Sequence, residues 1–569
     1  GYTLNPYSEK KIEPSPLNRV VQQAAPGKSW SLSNQKVIRT DYKNSTLTDS
    51  VKIFVVAANW DSSKGLYETP SSINSNDIYP DYRLNKTIVR DENWVTLDPG
   101  HTTIEFTDKT GKTILKRVFN ESQKHDTYYI YDQFGNLTFV IPPKVNSNSP
   151  ITNDILNQLC YQYKYDYRNR LVEKKLPGKQ WEFIVYDKLD RVVATGPAYS
   201  PFTSSAELGW MISKYDVFNR VVYTGWMPAT VTSENRKLLQ NERNNATSNF
   251  SEIKTSTNTI IDNITVNYSN DALPTSGYNI LTINYYDDYN FPHAPQNFNA
   301  VEGQPVYYKN DASNKPKGLL TGTWVRVPQT TQDYKAEKTY TLYDKNARPI
   351  KNHIVNYLGG EHIVNTKYDF SDKVLLTRSF SNRMQNAAYT EILNEFSYSP
   401  QGRLISNIHT VNGGYKQLLS YNNYDELGQL INKKVGGNDT SGNTSLQSVD
   451  YTYNVRGWLT EINKVDDLSN APDPLDLFAF KINYDTVENE ENYDGQALYN
   501  GNISETYWRT SSDNIKRKYG YFYDQMNRLN NAVYQKPGGA IPVPNSYNES
   551  LSYDKNGNIT SLSRNGNMD

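Results

Sequence analysis

The sequence predicts an all-β protein made of β-hairpins that stack into one extended sheet. Three observations predict it: a tyrosine-rich composition, a turn motif that recurs along the chain, and very little helical periodicity. The 569 residues include 46 tyrosines, 17 phenylalanines and 9 tryptophans, and aromatic residues are enriched in strands. Only 37% of the residues are hydrophobic. Tyrosine, however, adds buried area while keeping a polar hydroxyl group, so we expect a folded protein whose sheet surfaces are partly exposed to solvent.

Charge and cysteine content disfavour several classes of protein. Lysine plus arginine (60) balances aspartate plus glutamate (61), which disfavours nucleic-acid binding. Cys160 is the single cysteine, so no disulfide can form within the chain. No run approaches 18 apolar residues, and we predict no membrane span. The chain starts at Gly1 and ends just after a hairpin signal, and we expect both ends to be cuts in a longer polypeptide.

Twelve segments share one motif: Tyr, then Asp or a substitute, two variable residues, Gly, Asn or Asp, a polar residue and an aliphatic one. Tyr343-Asp344 begins one copy, and looser copies begin at Tyr286, Tyr368, Tyr398 and Tyr453. The turns of the clearest copies consist of Tyr131, Asp132 and Gly135; Tyr165, Asp166 and Asn169; Tyr186, Asp187 and Asp190; Tyr215, Asp216 and Asn219; Tyr424, Asp425 and Gly428; Tyr523, Asp524 and Asn527; Tyr553, Asp554 and Gly557.

The residue types of the motif predict a tight β-turn. Asp is favoured at the first position of a type I turn, where its side chain accepts a hydrogen bond from the backbone two residues later. Three residues after it the chain must become left-handed, and eleven of the twelve copies have Gly, Asn or Asp there, with Ala347 as the exception. Ten copies then carry Leu, Ile or Val, whereas Pro292 and Pro349 depart. Each copy therefore predicts strand, bulged turn, strand.

The spacing of the copies predicts how the hairpins assemble. Tyr161, Tyr163 and Tyr165 alternate onto one face, as in a half-buried strand. A hairpin cannot bury its apolar face alone, so neighbouring hairpins must stack into a continuous sheet. Because the copies lie mostly 21 to 34 residues apart, without a fixed period, we predict a wrapped sheet with insertions and not a symmetrical propeller.

Residues 1–120 lack good copies of the motif but remain strand-like, for example over 51–56 and 113–118. We predict an N-terminal β domain over residues 1–120 and a repeat region over 121–569. Residues 488–494 are predicted to form an exposed loop.

Helical periodicity is confined to two short segments. One helix is predicted over Asn153 to Cys160, and a second over Ser233 to Glu242 with Ser233 as its N-cap.

The Asn-Arg-Leu and Gly-Asn-Leu endings of the motif resemble the RHS/YD-repeat family over about residues 120–569. The opening, Ser15-Pro16-Leu17-Asn18-Arg19-Val20 with Ala25-Pro26-Gly27, is similar to the N-terminal domain that precedes RHS repeats in large secreted proteins of Bacteroidota. Ile141-Pro142-Pro143, the segment 159–163 and the segment 317–322 agree with that subgroup.

The resemblance implies a large hollow shell, the RHS cocoon, wound as a strip of hairpins. In the family this shell often encloses a variable C-terminal toxin, and export in Bacteroidota is commonly through the type IX system. The family's paired Asp-Pro-x-Gly core is missing, since Asp98-Pro99-Gly100 has neither its spacing nor its position and Asp473-Pro474 lacks the glycine. Neither self-cleavage nor toxicity is therefore assigned to this chain.

We predict no catalytic, cofactor-binding or metal-binding residue. The repeated aspartates could suggest a hydrolase, but their spacing explains each one as the cap of its own turn. The six histidines do not pair at metal-ligand spacing, and Cys160 follows an apolar helical stripe, which indicates a buried structural thiol. Sugar stacking is an alternative to core packing for five tryptophans: Trp181, Trp226, Trp324, Trp458 and Trp508.

The leading functional hypothesis is a non-catalytic shell of a secreted or outer-membrane, cell-surface bacterial protein. Its partner would be a C-terminal effector of the same polypeptide that is not in this chain, with type IX secretion machinery or surface glycans as further partners. A surface adhesin or glycan-binding protein is the alternative, by analogy with animal YD-repeat ectodomains. An enzyme that uses carboxylates inside the shell is the third hypothesis.

Overall fold

Short strands separated by turn-forming residues give this chain an almost purely β architecture. The computed structural model describes residues 5–566 except 76, 310, 312, 470–472, 489–494, 540 and 542. Strands account for 45% of the chain and helices for 5%, which confirms the predicted all-β class. Apart from Glu488, the loop predicted over 488–494 lies outside the described residues.

The strands within the described residues fall into three consecutive groups. The first contains β1 (Glu9–Ile12), β2 (Val20–Ala24), β3 (Ile38–Asn44), β4 (Lys52–Ile53), β5 (Asn59–Asp61), β6 (Leu66–Glu68), β7 (Asp77–Ile78), β8 (Asn85–Arg90), β9 (Thr102–Thr107), β10 (Thr113–Asn120), β11 (Gln123–Tyr131) and β12 (Leu137–Ile141). The second contains β13 (Tyr161–Tyr165), β14 (Leu171–Lys175), β15 (Trp181–Tyr186), β16 (Val192–Tyr199), β17 (Leu208–Tyr215), β18 (Val221–Pro228), β19 (Lys254–Ile261), β20 (Ile264–Tyr268), β21 (Asn279–Tyr286), β22 (Leu320–Arg326), β23 (Ala336–Tyr343) and β24 (Pro349–Val355). The third contains β25 (Glu361–Tyr368), β26 (Val374–Ser381), β27 (Thr390–Tyr398), β28 (Leu404–Val411), β29 (Gln417–Tyr424), β30 (Leu430–Val435), β31 (Gln447–Tyr453), β32 (Leu459–Ile462), β33 (Phe478–Asn483), β34 (Glu505–Thr510), β35 (Arg517–Tyr523), β36 (Leu529–Gln535), β37 (Glu549–Tyr553) and β38 (Ile559–Arg564).

A single antiparallel sheet contains 32 of these strands. Each strand pairs with the next one along the chain, except that β3 pairs with β8 and β18 with β21. The strands between them, β4 to β7 and β19 to β20, form small separate sheets. The protein is therefore a strip of hairpins, and this part of the prediction is confirmed.

Inserted segments pack on one face of the strip, which we call the packed face. The register aligns Phe106, Leu115, Tyr128 and Ile141 in one buried row across β9 to β12. Residues 45–84 cover this row. Farther along the same face, the inserted residues 229–278 and 287–319 supply Ile261, Tyr268, Phe291 and Val301 to a second core.

The insertions leave part of the packed face uncovered. We define the covered region as β8 to β24, residues 85–355, and the bare region as β26 to β32, residues 374–462. Within the bare region, all of which the structure describes, Leu418 is the single buried hydrophobic residue. The two regions belong to the same sheet but differ sharply in what packs against them.

Both predicted helices form, with one error in the second. Helix α1 spans Asn153–Leu159 and ends at Cys160. Helix α2 spans Ser233–Asn245, so Ser233 is not its N-cap. Thr232 is the N-cap, because its extended backbone lets its hydroxyl accept the Asn235 N–H at 3.2 Å, whereas the Ser233 hydroxyl donates to Glu173. The helix continues past Glu242 because its later turns contact the sheet.

Three short 3-10 helices, η1 (Lys28–Trp30), η2 (Leu32–Asn34) and η3 (Leu47–Asp49), lie in the N-terminal part. Over 51–56 only Lys52–Ile53 is a strand, because Val51 and Val56 fill the core without forming a regular ladder. The predicted strand over 113–118 lies within β10. The ladder runs across residue 120, where β10 pairs with β11, and the division into 1–120 and 121–569 stays a prediction.

Candidate functional site: the turn ladder and the seam

Most repeat turns are built around the side chain at the second position of the motif, which is usually an aspartate. In the copy at Tyr165, the Asp166 Oδ1 atom accepts the backbone N–H groups of Arg168 at 2.9 Å and Arg170 at 3.0 Å. The Asn169 N–H donates to the Asp166 carbonyl at 2.9 Å. The same pair of backbone bonds to the side chain at position two recurs at Asp132, Asp187, Asp216, Asp344, Asp369, Asn454, Asp524 and Asp554.

In eleven of the twelve copies the fifth residue is left-handed, and the copy at Tyr286 is the exception. Asn169 has a φ of 58° and Gly135 a φ of 83°. Ala347, the exception to the motif, has a φ of 62° and makes the same turn. An alanine there costs roughly 1–2 kcal/mol relative to a residue that tolerates this conformation. The contacts of the neighbouring strands therefore impose the turn on this copy.

The repeat tyrosines connect successive hairpins. Tyr165 OH donates to the Leu137 carbonyl at 2.9 Å, and Tyr186 OH to the Leu171 carbonyl at 2.7 Å. These carbonyls belong to the first residue of a strand, whereas backbone pairing between neighbouring hairpins stops two residues farther in. The hydroxyl thus bridges a gap in the ladder at the turn edge. Further bonds of this kind join Tyr215 to Val192, Tyr343 to Leu320, Tyr368 to Pro349, Tyr398 to Val374, Tyr424 to Leu404, Tyr484 to Leu459, Tyr523 to Ile503 and Tyr553 to Leu529.

Arginines near the end of several turns make a second connection. Arg191 Nε donates to Asp187 Oδ2 at 2.7 Å within its own turn. Its Nη1 donates to the backbone carbonyl of Asp216, in the next turn, at 3.0 Å, and its guanidinium lies 4.9 Å from the Tyr215 ring centroid. Arg348 and Arg528 make the same three contacts. We call this edge, with its linked tyrosines, aspartates and arginines, the turn ladder.

Two copies of the motif are split by insertions. Tyr286 pairs with Leu320 and not with a residue near Pro292, and the Asp287 N–H donates to the Leu319 carbonyl. Gly318, with a φ of 83°, is the left-handed residue. The expected turn at Tyr286 is therefore wrong in its second half, because residues 288–317 are inserted into it. Tyr484 begins a further copy that the motif search missed, since its hydroxyl donates to the Leu459 carbonyl at 3.0 Å and Gly501, with a φ of 98°, supplies the left-handed residue.

The strip returns onto itself along a line of contacts that we call the seam. Turns of the last hairpins lie against one edge of strands β2 to β12. This edge is opposite the edge at which β2 to β12 have their repeat turn. The His101 N–H donates to the Gln525 carbonyl at 3.1 Å, and the Glu121 N–H to Gln525 Oε1 at 2.9 Å. The Lys144 N–H donates to Asn556 Oδ1 at 2.8 Å, and its ammonium lies 3.1 Å from Asp554.

The seam continues toward the N-terminus of the chain. Trp30 Nε1 donates to the Tyr499 carbonyl at 2.7 Å, and the Tyr499 N–H donates to Asn93 Oδ1 at 2.7 Å. The Arg456 guanidinium lies 5.1 Å from the Trp30 ring centroid. Backbone groups at the two facing edges are thus partly satisfied by each other, as a continuous wall requires.

Hydrogen bonding holds the seam carboxylate of Asp554 ionised. Burial opposes its charge, but bonds from Asn558, Lys144 and Asn556 outweigh that effect and lower its pKa to about 2. This ion pair is therefore present above about pH 4 and is lost as the pH falls toward 2.

Charged pairs lie inside the wall, where the sequence alone gave no sign of them. Lys214 and Glu252 form a 2.7 Å pair with side chains 1% and 0% exposed. Lys518 and Glu505 form a 2.6 Å pair that is fully buried. Lys214 lies in a strand next to a repeat tyrosine and Glu252 lies in an insertion, so this pair fixes the insertion to the sheet. Buried pairs of this kind set geometry more than stability.

The described residues were compared with two kinds of reactive site, a metal centre and an activated thiol. Among the described residues, no group of three or more His, Cys, Asp or Glu side chains is placed to hold a metal ion. Cys160 is buried, and burial raises its pKa to about 12, so its thiol stays protonated at neutral pH. In the part of the chain that the structure describes, no helix has the length and apolarity to cross a membrane.

The five candidate sugar-stacking tryptophans have other contacts. Trp226 and Trp324 are buried. The Trp181 ring lies 4.3 Å from the Lys164 ammonium, the Trp458 ring lies 4.2 Å from the Arg456 guanidinium, and Trp508 stacks on Tyr519 at 5.5 Å. None of the five is a fully exposed side chain.

One family model and several solved structures match this chain. A family model described as a domain of unknown function (DUF6443) matches residues 1–44, and no curated protein matches the chain. The crystal structure of TcdB2-TccC3-TEV is 11% identical with a TM-score of 0.40, covering 97% of this chain and 24% of that one. Two structures titled TcdB2-TccC3, the second without its hypervariable C-terminal region, are 11% and 12% identical. Their TM-scores are 0.33 and 0.28, each covering 96% of this chain and 25% and 24% of theirs.

This chain thus spans about a quarter of the length of those proteins.

Proposed function

We propose that this chain is a non-catalytic wall that encloses a polypeptide cargo, the shell segment of an RHS-type secreted protein. The observation that carries the proposal is the seam, where the last hairpins of the strip contact the edge of its first strands. A strip that closes on itself in this way can separate an interior from solvent. The cargo that fits the family resemblance is a C-terminal effector of the same polypeptide, exported through type IX machinery to the medium or the cell surface.

The state of the carboxylates supports a structural role. The repeat aspartates accept backbone N–H groups within their turns, and several also bind an arginine. A carboxylate whose oxygens are already occupied within its own turn is poorly placed to act as a general base or nucleophile. The wall would therefore act by sequestration, with paired strands keeping proteases and water from the cargo. The adhesin alternative gains no support from the five tryptophans.

Small-angle X-ray scattering of residues 1–569 tests the enclosure. A compact globule of this length has a radius of gyration of about 25 Å, and a hollow wall of the same mass must exceed it. A measured radius near the compact value would contradict the proposal. A seam variant, Lys144→Ala with Gln525→Ala, should expand further, while a control on an exposed turn, Lys179→Ala with Gln180→Ala, should not.

The cargo is tested separately on the natural polypeptide that contains this chain. Intact-mass spectrometry and peptide mapping should detect sequence beyond residues 1–569 that co-purifies with the wall. That sequence should resist protease until the wall is unfolded. Mass equal to 65.2 kDa with nothing bound would remove the cargo from the proposal.

A further inference from the structure

A basic cleft opens at the seam, between the first strands and the last hairpin. Its volume is about 410 Å³, within the range of small-molecule sites. The last hairpin contributes one wall, where the His125 ring bonds the Lys555 carbonyl at 3.1 Å. The charged residues that line the cleft are Lys52, Arg117, Lys124, Asp126, Lys144 and Lys555.

Carboxylates neutralise only part of this positive charge. Arg117, 3% exposed, binds both oxygens of Asp126 at 2.7 and 2.8 Å. Lys144 pairs with Asp554 at 3.1 Å. Beside the cleft, Lys86 pairs with Asp49 at 2.5 Å. The three nearby carboxylates are thus each matched to one cation.

Three cations are left over. The Lys52 ammonium donates to neutral acceptors, the Ser147 carbonyl and Asn148 Oδ1. Within the described ranges, no carboxylate lies within 4.0 Å of the ammonium groups of Lys52, Lys124 or Lys555. Burial lowers the pKa of Lys52. Burial and then repulsion from Arg117 lower the pKa of Lys124. The excess charge is concentrated here although the whole chain carries a net charge of −1.

We propose that this cleft binds a phosphate- or sulfate-type oxyanion. Such a group would neutralise the three unmatched lysines, and Ser50 and Asn146 on the cleft wall add polar groups to the site. Lys52 lies in β4 and Lys124 in β11, both near the beginning of the strip, whereas Lys555 lies in the last hairpin. The bound oxyanion therefore bridges the seam and holds its two edges together. This inference does not rest on the proposed function, because it concerns the wall and not what the wall encloses.

Calorimetric titration of residues 1–569 with inorganic phosphate and inorganic sulfate tests the site, at constant ionic strength and with chloride as reference. Lys52→Gln with Lys124→Gln should raise the dissociation constant by at least about tenfold, because the variant loses charge-assisted hydrogen bonds to the oxyanion. The control Lys109→Gln with Lys179→Gln makes the same change of charge at exposed turns and should bind as the unmodified protein does. Glucose 6-phosphate tests whether a sugar-borne phosphate binds more tightly than the free ion.

Hydrogen exchange tests whether the bound oxyanion connects the two edges of the seam. Phosphate should slow hydrogen exchange at residues 549–559 of the unmodified protein, and Lys555→Gln should remove that protection while leaving the fold intact. Absence of saturable binding of phosphate and sulfate would overturn the proposal. Equal affinity of the Lys52/Lys124 variant and its control would overturn it as well.

Discussion

The covered and bare regions of the strip contain the same repeat turns but are stabilised differently. In the covered region, insertions bury Phe106, Leu115 and Tyr128 on the packed face. In the bare region, seven consecutive strands contain one buried hydrophobic residue, Leu418. Yet the turns at Tyr398 and Tyr424 keep their hydroxyl bonds at 2.9 Å. The comparison indicates that the turn ladder and backbone pairing are sufficient to order a sheet where no core supports it.

Replacing one phenylalanine by alanine in each region should give the largest difference between the regions in the loss of unfolding free energy. Phe139 is fully buried in the covered region, so Phe139→Ala should reduce the free energy of local unfolding by about 3–5 kcal/mol. Phe380 is only partly buried in the bare region, and Phe380→Ala should cost about 1 kcal/mol. Hydrogen exchange of β11–β12 and of β25–β26 measures both. Equal losses would show that the bare region has a core of its own.

Breaking an ion pair should also cost more stability in the covered region than in the bare region. Lys214→Met leaves Glu252 buried without its cation and should cost about 3–5 kcal/mol. The Lys416–Glu395 pair of the bare region has side chains 56% and 34% exposed, and Lys416→Met should cost less than about 1 kcal/mol. Hydrogen exchange measured at increasing urea concentration, at β17 for Lys214→Met and at β29 for Lys416→Met, measures the two effects. A loss at Lys416 as large as that at Lys214 would contradict the account.

Mild acid should loosen the covered region at His293. Burial lowers the pKa of His293 from 6.5 to about 4, and its ring lies 4.9 Å from the Phe291 ring centroid. The stabilisation from the neutral imidazole is complete above pH 6.5 and is lost as the pH falls toward 4. From pH 7 to 5 the loss is about 2 kcal/mol. His293→Gln should abolish this pH dependence in the exchange of β21–β23, and its persistence would show that another group is responsible.

Loss of one ladder hydroxyl should give the smallest effect. Tyr398→Phe in the bare region and Tyr215→Phe in the covered region each remove a bond that contributes about 1 kcal/mol. Exchange at the adjacent turn should accelerate about fivefold in both. The covered region should remain strongly protected afterwards, because its core is intact. Absence of any change at either turn would show that the hydroxyl bonds do not contribute.

The hairpins could be predicted because their cause is local. An Asp that accepts N–H groups two and four residues later specifies a turn with residues that lie next to each other in sequence. The split copy at Tyr286 could not be predicted in this way, since Gly318 and Leu320 come about thirty residues later. The Gly-Leu-Leu ending at 318–320 was the available signal.

The seam and the buried charges depend on contacts across the whole chain. Gln525 meets Glu121 only after the strip has returned to its first strands, and no local pattern indicates that meeting. Lys214 and Lys518 each directly precede a tyrosine of their strand, and nothing in the local pattern indicates that they are buried. They are buried because Glu252 and Glu505 reach them from elsewhere in the fold. Thr232 displaced Ser233 as N-cap for a similar reason, since Glu173 binds the Ser233 hydroxyl.

The most direct test of the account is hydrogen exchange on two triple variants. One replaces Tyr368, Tyr398 and Tyr424 by Phe, and the other replaces Tyr165, Tyr186 and Tyr215 by Phe. Three lost bonds of about 1 kcal/mol each should accelerate local opening about a hundredfold. We predict that this leaves β26 to β29 nearly unprotected while β13 to β18 stay protected by their core. Unchanged protection of β26 to β29 would contradict the claim that the turn ladder orders the bare region.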